Sequence, residues 1–357
     1  MRFSAEQEHL RAAVRGLAER RAGDPGRMWR DLAGQIGAQG LALPERYGGG
    51  GFSCRETHVV MEELGRALAP VPFLGSAILA GQALAASEDR TARRRWLPRL
   101  ADGSLVAALA WADEGARDIE ATTARAVPGP DGSWRLTGAK DRVLDIAAAD
   151  LMLVAARGPD GPGLFAVDPG AEGVTVTARV PLDPSRPQGR VALDRAPARR
   201  VARDGAAVLE RALDAGRAAL AAEQVGGAAY CLEAAVAYAG QRVQFGRPIG
   251  AFQAVKHRLA DMLVLVESAR SAAQAASFAL ADGAPDAPEV VSLAASVCAE
   301  AFRTVAGEAV QLHGGIGVTW EHPCQRYFKR AHASALLLGS PEWHRRRLAG
   351  PLGLDPD

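Results

Sequence analysis

The stretch Gln241–Met262, QRVQFGRPIGAFQAVKHRLADM, decides the architecture, because its Gln244-Phe245-Gly246 turn separates two long helical patterns. Before it, Leu209, Leu213, Leu220 and Val225 open an Ala-rich helix running to about Gly240. After it, Val255, Leu259, Met262, Leu263 and Val266 recur at helical spacing. A third helix starts after Pro288 and ends near His313-Gly314-Gly315, where two glycines make a C-cap. The Ala richness of this last third suits helices packed closely together.

Upstream the periodicity changes. From about Ala107 to Val201 short β-rich runs alternate with Gly, Pro and Asp: Ala121–Val127, Ser133–Thr137, Leu151–Ala155, Leu164–Val167, Val174–Val180 and Arg190–Leu193. Their spacing predicts a small sandwich or barrel. Further upstream, from Phe3 to about Leu100, the pattern is again helical. Ser4 with Gln7 has the spacing of a capping box, and Leu10, Val14 and Leu17 follow before Gly23-Asp24-Pro25-Gly26 stops the helix. Trp29, Leu32 and Ile36 predict a second helix, Val59, Val60 and Leu64 a third, and Leu74, Ile78 and Leu79 a fourth. The run Gly48-Gly49-Gly50-Gly51 follows no strand and precedes no Gly-Lys-Ser/Thr, so it reads as a turn and not as a phosphate loop.

Composition removes several function classes. The 357 residues are 48% apolar and carry 42 Lys plus Arg against 41 Asp plus Glu, a net charge of +1, which speaks against nucleic acid or an anionic membrane as partner. Apolar runs such as Leu105–Ala112 and Ala335–Leu338 fall far short of the roughly 20 residues of a membrane span. Glu6, Glu8 and Arg11 interrupt what an export signal would need as an apolar core, so the expected address is the cytoplasm. Cys54, Cys231, Cys298 and Cys324 are scattered without a CxxC pair, as in a reducing compartment. The 7 histidines never fall at i, i+4 with one another, so no metal site is expected, and His313 and His332 read as packing or surface residues.

Two segments, QRVQFGRPIGAFQAVKHRLADM and QLHGGIGVTWEHPCQRYFKRA (Gln311–Ala331), resemble signature segments of the acyl-CoA dehydrogenase family. SAEQEHLR, LALPERYGGGGFS (Leu41–Ser53) and EELGRALAPVP (Glu62–Pro72) resemble its N-terminal helical domain, so the resemblance covers nearly the whole chain. It implies a mainly α fold with a β insert: an N-terminal helical domain over 1–106, a middle β-barrel or sandwich over 107–203, and a C-terminal four-helix bundle over 204–357. It also implies FAD between the β-domain and the bundle, reaching a neighbouring subunit. By that correspondence Arg242 would meet the diphosphate of a neighbour's FAD, a charge-assisted contact, and Phe245 would pack beside the adenine. Gln253 and Gln311 would hydrogen-bond the ADP moiety, and Gly314 and Gly315 would let backbone approach it. Asp214 would lie near the CoA chain, and Arg217 would be structural.

The reaction implied is α,β-desaturation of an acyl-CoA thioester: a carboxylate removes the α-proton and flavin takes the β-hydrogen as hydride, with an electron-transfer flavoprotein or similar acceptor downstream. Here the sequence departs from the family. The two positions at which members carry the base are Leu338 and Gly216. Glu223, about two helical turns beyond Gly216 and roughly 10 Å along the axis, is the remaining candidate base, the alternative being a carboxylate paired with a nearby Arg. In the β-domain Trp111–Asp118 lacks part of the family's usual hydroxyl contacts to flavin, and Lys140–Asp145 places Arg142 and Leu144 where Trp and Thr flank the flavin ring in the family. Shortness and the segments VLDIAAADLMLVAA, VPLDPSRPQGRV and AAEQVGGA resemble the short subunits of actinobacterial α2β2 acyl-CoA dehydrogenases, in which a longer partner carries the base. The resemblance therefore implies a hetero-oligomer acting on bulky fatty or steroid-derived CoA thioesters. Two other readings share the scaffold: a self-sufficient flavin oxidase or monooxygenase, and a flavin-free assembly subunit.

Overall fold

The computed structural model describes residues 3–114, 121–130 and 132–354. Helices α1 (Ala5–Arg20), α2 (Pro25–Asp31), α3 (Cys54–Arg66), α4 (Gly81–Ala86) and α5 (Arg90–Ala101) come first. Strands β1 (Ala107–Ala110), β2 (Arg125–Pro128), β3 (Trp134–Leu144), β4 (Leu151–Gly158), β5 (Gly161–Val167), β6 (Val174–Ala178) and β7 (Gln188–Ala202) follow. Then come α6 (Gly205–Gln241), the short pair β8 (Val243–Gln244) and β9 (Arg247–Pro248), α7 (Gln253–Asp282), α8 (Ala287–His313), α9 (Cys324–Ser334) and α10 (Pro341–Ala349). The chain divides into two compact units, Met1–Ala22 with Cys54–Ala69 and Arg217–Asp357, and Gly23–Ser53 with Pro70–Gly216.

The first unit is helical. Ser4 and Gln7 form the expected capping box at α1, and Val14 and Leu17 are buried. Its core runs along α6, α7 and α8, with Ala228, Ala235, Val266, Phe302, Val305 and Ala309 in one cluster and Ala218, Ala221, Ala273, Ala294 and Cys298 in another. Small side chains let long helices approach, which is why this third of the chain is Ala-rich. The segment Ala287–Val318 is long and apolar enough to cross a membrane by length and composition, but 56% of its apolar window is buried inside the protein, as in a core helix.

A buried charge cluster ties α1, α3 and α7 together. Glu62 pairs with Arg270 and, at 2.9 Å, with Arg11, and His58 Nε2 lies 3.7 Å away. Glu63 receives Arg15 at 2.7 Å and Arg11 at 3.1 Å. Burial alone would push the Glu62 carboxyl up, but His58, Arg270 and Arg11 outweigh it and hold it at about 2. The unfolded chain protonates glutamate near about 4.3, so this stabilisation is complete above that pH and disappears as the pH falls toward 2. Thermal melts between pH 5 and pH 2.5 are expected to fall more steeply for the native chain than for Glu62→Gln; parallel curves would remove Glu62 as the acid-sensitive group.

The second unit holds the β-structure. Its strands run β1-β4-β2-β3-β7-β5, and β5 pairs back to β4, so β2, β3, β7, β5 and β4 close a ring. Of sandwich and barrel, the closure is that of a barrel, because Met152↔Val167 through Gly158↔Gly161 joins β4 to β5 and Arg125↔Arg157 joins β2 to β4. Trp134, Leu136, Met152, Val154, Phe165 and Val191 fill it.

Several elements differ in extent from the sequence reading. The runs Ser133–Thr137 and Arg190–Leu193 lie in the longer β3 and β7, whose alternation is broken by bulges and by positive φ at Arg142 (52°) and Arg195 (52°). The expected strand from Ala121 starts only at Arg125, since the Thr123 N–H is taken by the Asp113 carboxylate instead of a neighbouring strand. The second and fourth expected helices contain wide π turns, Leu32–Ile36 and Phe73–Ala80. At the glycine run, the N–H groups of Gly49, Gly50 and Gly51 donate to the carbonyls of Pro44, Gly40 and Leu43. They are spent inside the turn, and no phosphate cradle exists there.

Candidate functional site

The C-terminal end of α6 is built by a hairpin. Val243↔Pro248 and Gln244↔Arg247 pair, and the two connecting residues, Phe245 (φ 54°) and Gly246 (φ 76°), are both left-handed. That is the geometry of a type I′ turn, and glycine supplies one of its two positions without strain. The turn holds Phe245 out in solvent, 91% exposed, edge-on to Phe252, over which the Arg247 guanidinium lies at 4.1 Å. The Ile249 N–H donates to the Arg242 carbonyl at 2.8 Å, bringing the start of α7 back beside Arg242.

One turn before Arg242, the Tyr238 ring packs on His313 at 4.5 Å, at the end of α8. Gly314 caps that helix with φ 65°. Arg242, Phe245, Gln253, Gln311, Gly314 and Gly315 therefore occupy one end of the helical unit, and all are exposed. Among the described residues the side chains of Arg242, Gln253 and Gln311 engage no hydrogen bond or ion pair. A Cβ on Gly314 or Gly315 would meet nothing within 4 Å. A guanidinium, two amides and bare backbone facing outward fit the diphosphate and polar edge of an ADP group.

The base positions are also resolved. Leu338 is 3% exposed, and its carbonyl accepts from Arg217 Nε at 3.2 Å while the guanidinium covers Trp343 at 4.9 Å. Arg217 is thus structural. Leu338 and the buried Gly216 have no proton to exchange. Glu223 is 3% exposed, with Oε1 3.0 Å from Arg330 Nη1 of α9. The pairing is the alternative held open for Glu223, a carboxylate on a nearby Arg, and taking up a proton there would weaken the hold on the buried Arg330. Asp214, on the part of α6 in the other unit, is 6% exposed.

In the barrel unit the fully buried Lys140 donates to Asp113 at 2.5 Å, Thr122 Oγ1 at 2.6 Å and the Trp111 carbonyl at 3.2 Å. Asp141 pairs with Arg179 at 2.9 Å, Arg142 is exposed and Leu144 is buried. Residues 115–118 of the altered motif lie outside the described residues.

One constellation escaped the sequence reading: His313, His322 and Cys324 bring their ligand atoms within 4.8 Å of one another. They come from a helix end, a loop and the next helix start, so no fixed helical spacing reveals them.

Residues 4–104 match the family model described as "Acyl-CoA dehydrogenase, N-terminal domain", and residues 203–352 match "Acyl-CoA dehydrogenase, C-terminal domain". Acyl-CoA dehydrogenase IpdE2 of Mycolicibacterium smegmatis is 37% identical over 360 residues, covering 97% of this chain and 98% of its own length. A variant of the Tcur3481-Tcur3483 steroid ACAD superposes with a TM-score of 0.89 at 35% identity over 98% of both chains. The ChsE4-ChsE5 complex from Mycobacterium tuberculosis does so with 0.89 at 30% identity over 100% of this chain and 99% of that one. With identity sustained along nearly its whole length and both terminal domains matched, the chain belongs to the acyl-CoA dehydrogenase family, oxidoreductases that act on CH–CH bonds.

Proposed function

We propose that this chain is the base-lacking half of a hetero-oligomeric acyl-CoA dehydrogenase and completes a FAD site shared with a longer homologue. The observation that carries the reading is the contrast between two sites. Leu338, Gly216 and the Arg330-bound Glu223 leave this chain without a free carboxylate at the base positions, while the outward-facing residues at the end of α6 and α8 stay uncommitted. Bound FAD would supply the hydride acceptor. Arg242 would neutralise its diphosphate, Phe245 would cover the adenine, and Gln253 and Gln311 would hold the ADP portion against the backbone of Gly314 and Gly315. Arg217 fixes the Leu338 segment through its carbonyl, and Asp214 would meet the CoA chain. The partner's carboxylate would remove the α-proton, and an electron-transfer flavoprotein would take the electrons onward. One solved relative named as a complex and another named as a steroid ACAD support a partner and a bulky, steroid-derived acyl-CoA as substrate. A three-part organisation, 1–106, 107–203 and 204–357, belongs to the same proposal and is supported by family matches that end at 104 and resume at 203.

The test is co-expression with an adjacent longer homologue, followed by size exclusion and flavin quantification. The expected result is a stable yellow complex with about one FAD for each pair of chains, absent from the lone chain. Arg242→Ala should weaken flavin retention about tenfold, the scale of one charge-assisted contact. A yellow, fully active oligomer of this chain alone would overturn the proposal.

A further inference from the structure

We propose that Trp320, with Ile316 and Val318 beside it, is the anchor by which this chain docks onto the subunit that shares its flavin site. The inference rests on the reading that such a partner exists, and it adds which surface holds that partner and which side chain fixes it. Exposure is where it starts. Trp320 is 81% exposed, Val318 67% and Ile316 47%, whereas none of the other tryptophans is exposed. Val243 and Phe245 of the β8–β9 hairpin are exposed as well, so five large apolar side chains stand at one end of the helical unit. A grouping of that kind on a protein surface marks contact with another macromolecule.

A built loop holds these side chains out. Gly317 is buried against α8, where a Cβ would come 2.8 Å from the Val310 carbonyl oxygen and 3.1 Å from the His313 Cβ. Only glycine fits there, and the chain on either side of that contact leaves Ile316 and Val318 in solvent. The Thr319 N–H and hydroxyl both donate to the Ile316 carbonyl, at 3.1 and 2.9 Å, and close the turn. Farther on, the His322 ring packs on His313 at 4.5 Å, and its Nδ1 accepts from the Cys324 N–H at 3.3 Å, which pins the loop at the start of α9. Lys329 of α9 places its ammonium 4.0 Å from the centroid of the Trp320 ring. That cation–π contact orients the indole without covering it. An aromatic ring displayed in advance loses little freedom on docking, which is the character of an interface anchor.

Two features make the occupant a protein subunit. The loop opens with Gly314 and Gly315, the backbone that the shared flavin would meet, so the chain that covers the cofactor stands against the residues that follow. The same end of the unit also carries the exposed amides of Gln253 and Gln311 and the Arg242 guanidinium, which engage no partner among the described residues. Hydrocarbon cannot satisfy such groups, whereas the polar rim of a protein interface can.

The experiment is iodide quenching of tryptophan fluorescence, applied to the lone full-length chain and to the complex co-expressed with the longer homologue, with Trp320→Phe isolating the signal of Trp320. In the lone chain Trp320→Phe should remove the readily quenched fraction. In the complex the native and Trp320→Phe proteins should be quenched alike, because the indole is covered. On dilution of the complex, Trp320→Ala should weaken assembly about 30-fold and Lys329→Met about threefold, with the melting temperature of the lone chain unchanged in Trp320→Ala. Val180→Ala, at an exposed apolar residue of the barrel unit, should leave assembly as it was. If no complex forms at all, the shared-site reading fails and this surface fails with it. If the complex forms but Trp320 stays quenchable and Trp320→Ala assembles normally, the shared-site reading stands and the anchor is overturned. Self-association of the lone chain through Trp320 also overturns it, as does a blue shift of Trp320 emission on vesicles of phosphatidylcholine and phosphatidylglycerol that the homologue fails to produce.

Discussion

Gly226→Ala is expected to destabilise the helical unit by about 3 kcal/mol, lowering its melting temperature by about 6–12 °C. A Cβ at this position would stand 1.8 Å from the carbonyl oxygen of Glu62, and one on Gly65 would stand 2.1 Å from that of Glu223. The two glycines are reciprocal: each makes room for the backbone of the other helix, so α3 and α6 cross at a separation no side chain permits. Because the obstructing atoms are backbone, the clash cannot relax by a rotamer change, and the helices must part. Parting them also draws Glu62 away from Arg11 and Arg270, the buried cluster that ties α3 to α1 and α7. Gly307→Ala is the control, since nothing lies within 4 Å of a Cβ there, and better helix propensity should raise stability by about 0.5–1 kcal/mol. Gly65→Ala and Gly226→Ala combined should cost less than their sum, because the first already opens the crossing. Equal responses at Gly226 and Gly307 would refute the close-approach account.

Arg330→Met is expected to cost about 3–5 kcal/mol, since it removes the Arg330 counter-charge from the buried Glu223 carboxylate. The side chains of the pair are 3% and 4% exposed, so neither partner has water to fall back on. Glu223→Gln should be milder, about 3 kcal/mol or less, because the amide oxygen can still accept from Arg330. The double variant Glu223→Gln/Arg330→Met should recover part of the loss, since it removes both charges together. The same variant decides the chemistry. In the assembled complex, Glu223→Gln should leave turnover per folded molecule unchanged while lowering the melting temperature. The reverse pattern, unchanged stability with lost turnover, would make Glu223 the base after all.

Much of the fold was legible along the chain because helices of the last third announce themselves by period and by caps. The capping box at Ser4 and the helix stop at Gly314 are local devices, in which a side chain or a left-handed glycine acts on its own neighbours. Six of the strands β1–β7 were legible as existing, β1 (Ala107–Ala110) being missed, but not in length, because β7 owes its fifteen residues to partners on both edges and not to its own alternation. In the candidate site, Arg242, Phe245, Gln253, Gln311, Gly314 and Gly315 were recognisable from their motifs. That they share one end of the helical unit is shown by the Tyr238–His313 contact and the hairpin, neither of which any spacing predicts.

By itself the sequence determined the succession of helical, β-rich and helical stretches, the residues Leu338 and Gly216 at the positions the resemblance assigns to a base, and the family signatures, since each depends on residue identity or on neighbours a few positions apart. Tertiary structure alone decided that the strands close into a barrel, that Glu223 belongs to Arg330, and that His313, His322 and Cys324 converge. The physical reason is the same in each case. Ring closure, charge pairing and ligand convergence depend on through-space separations of a few ångströms between residues distant along the chain, and those separations exist only once the helices and strands have packed.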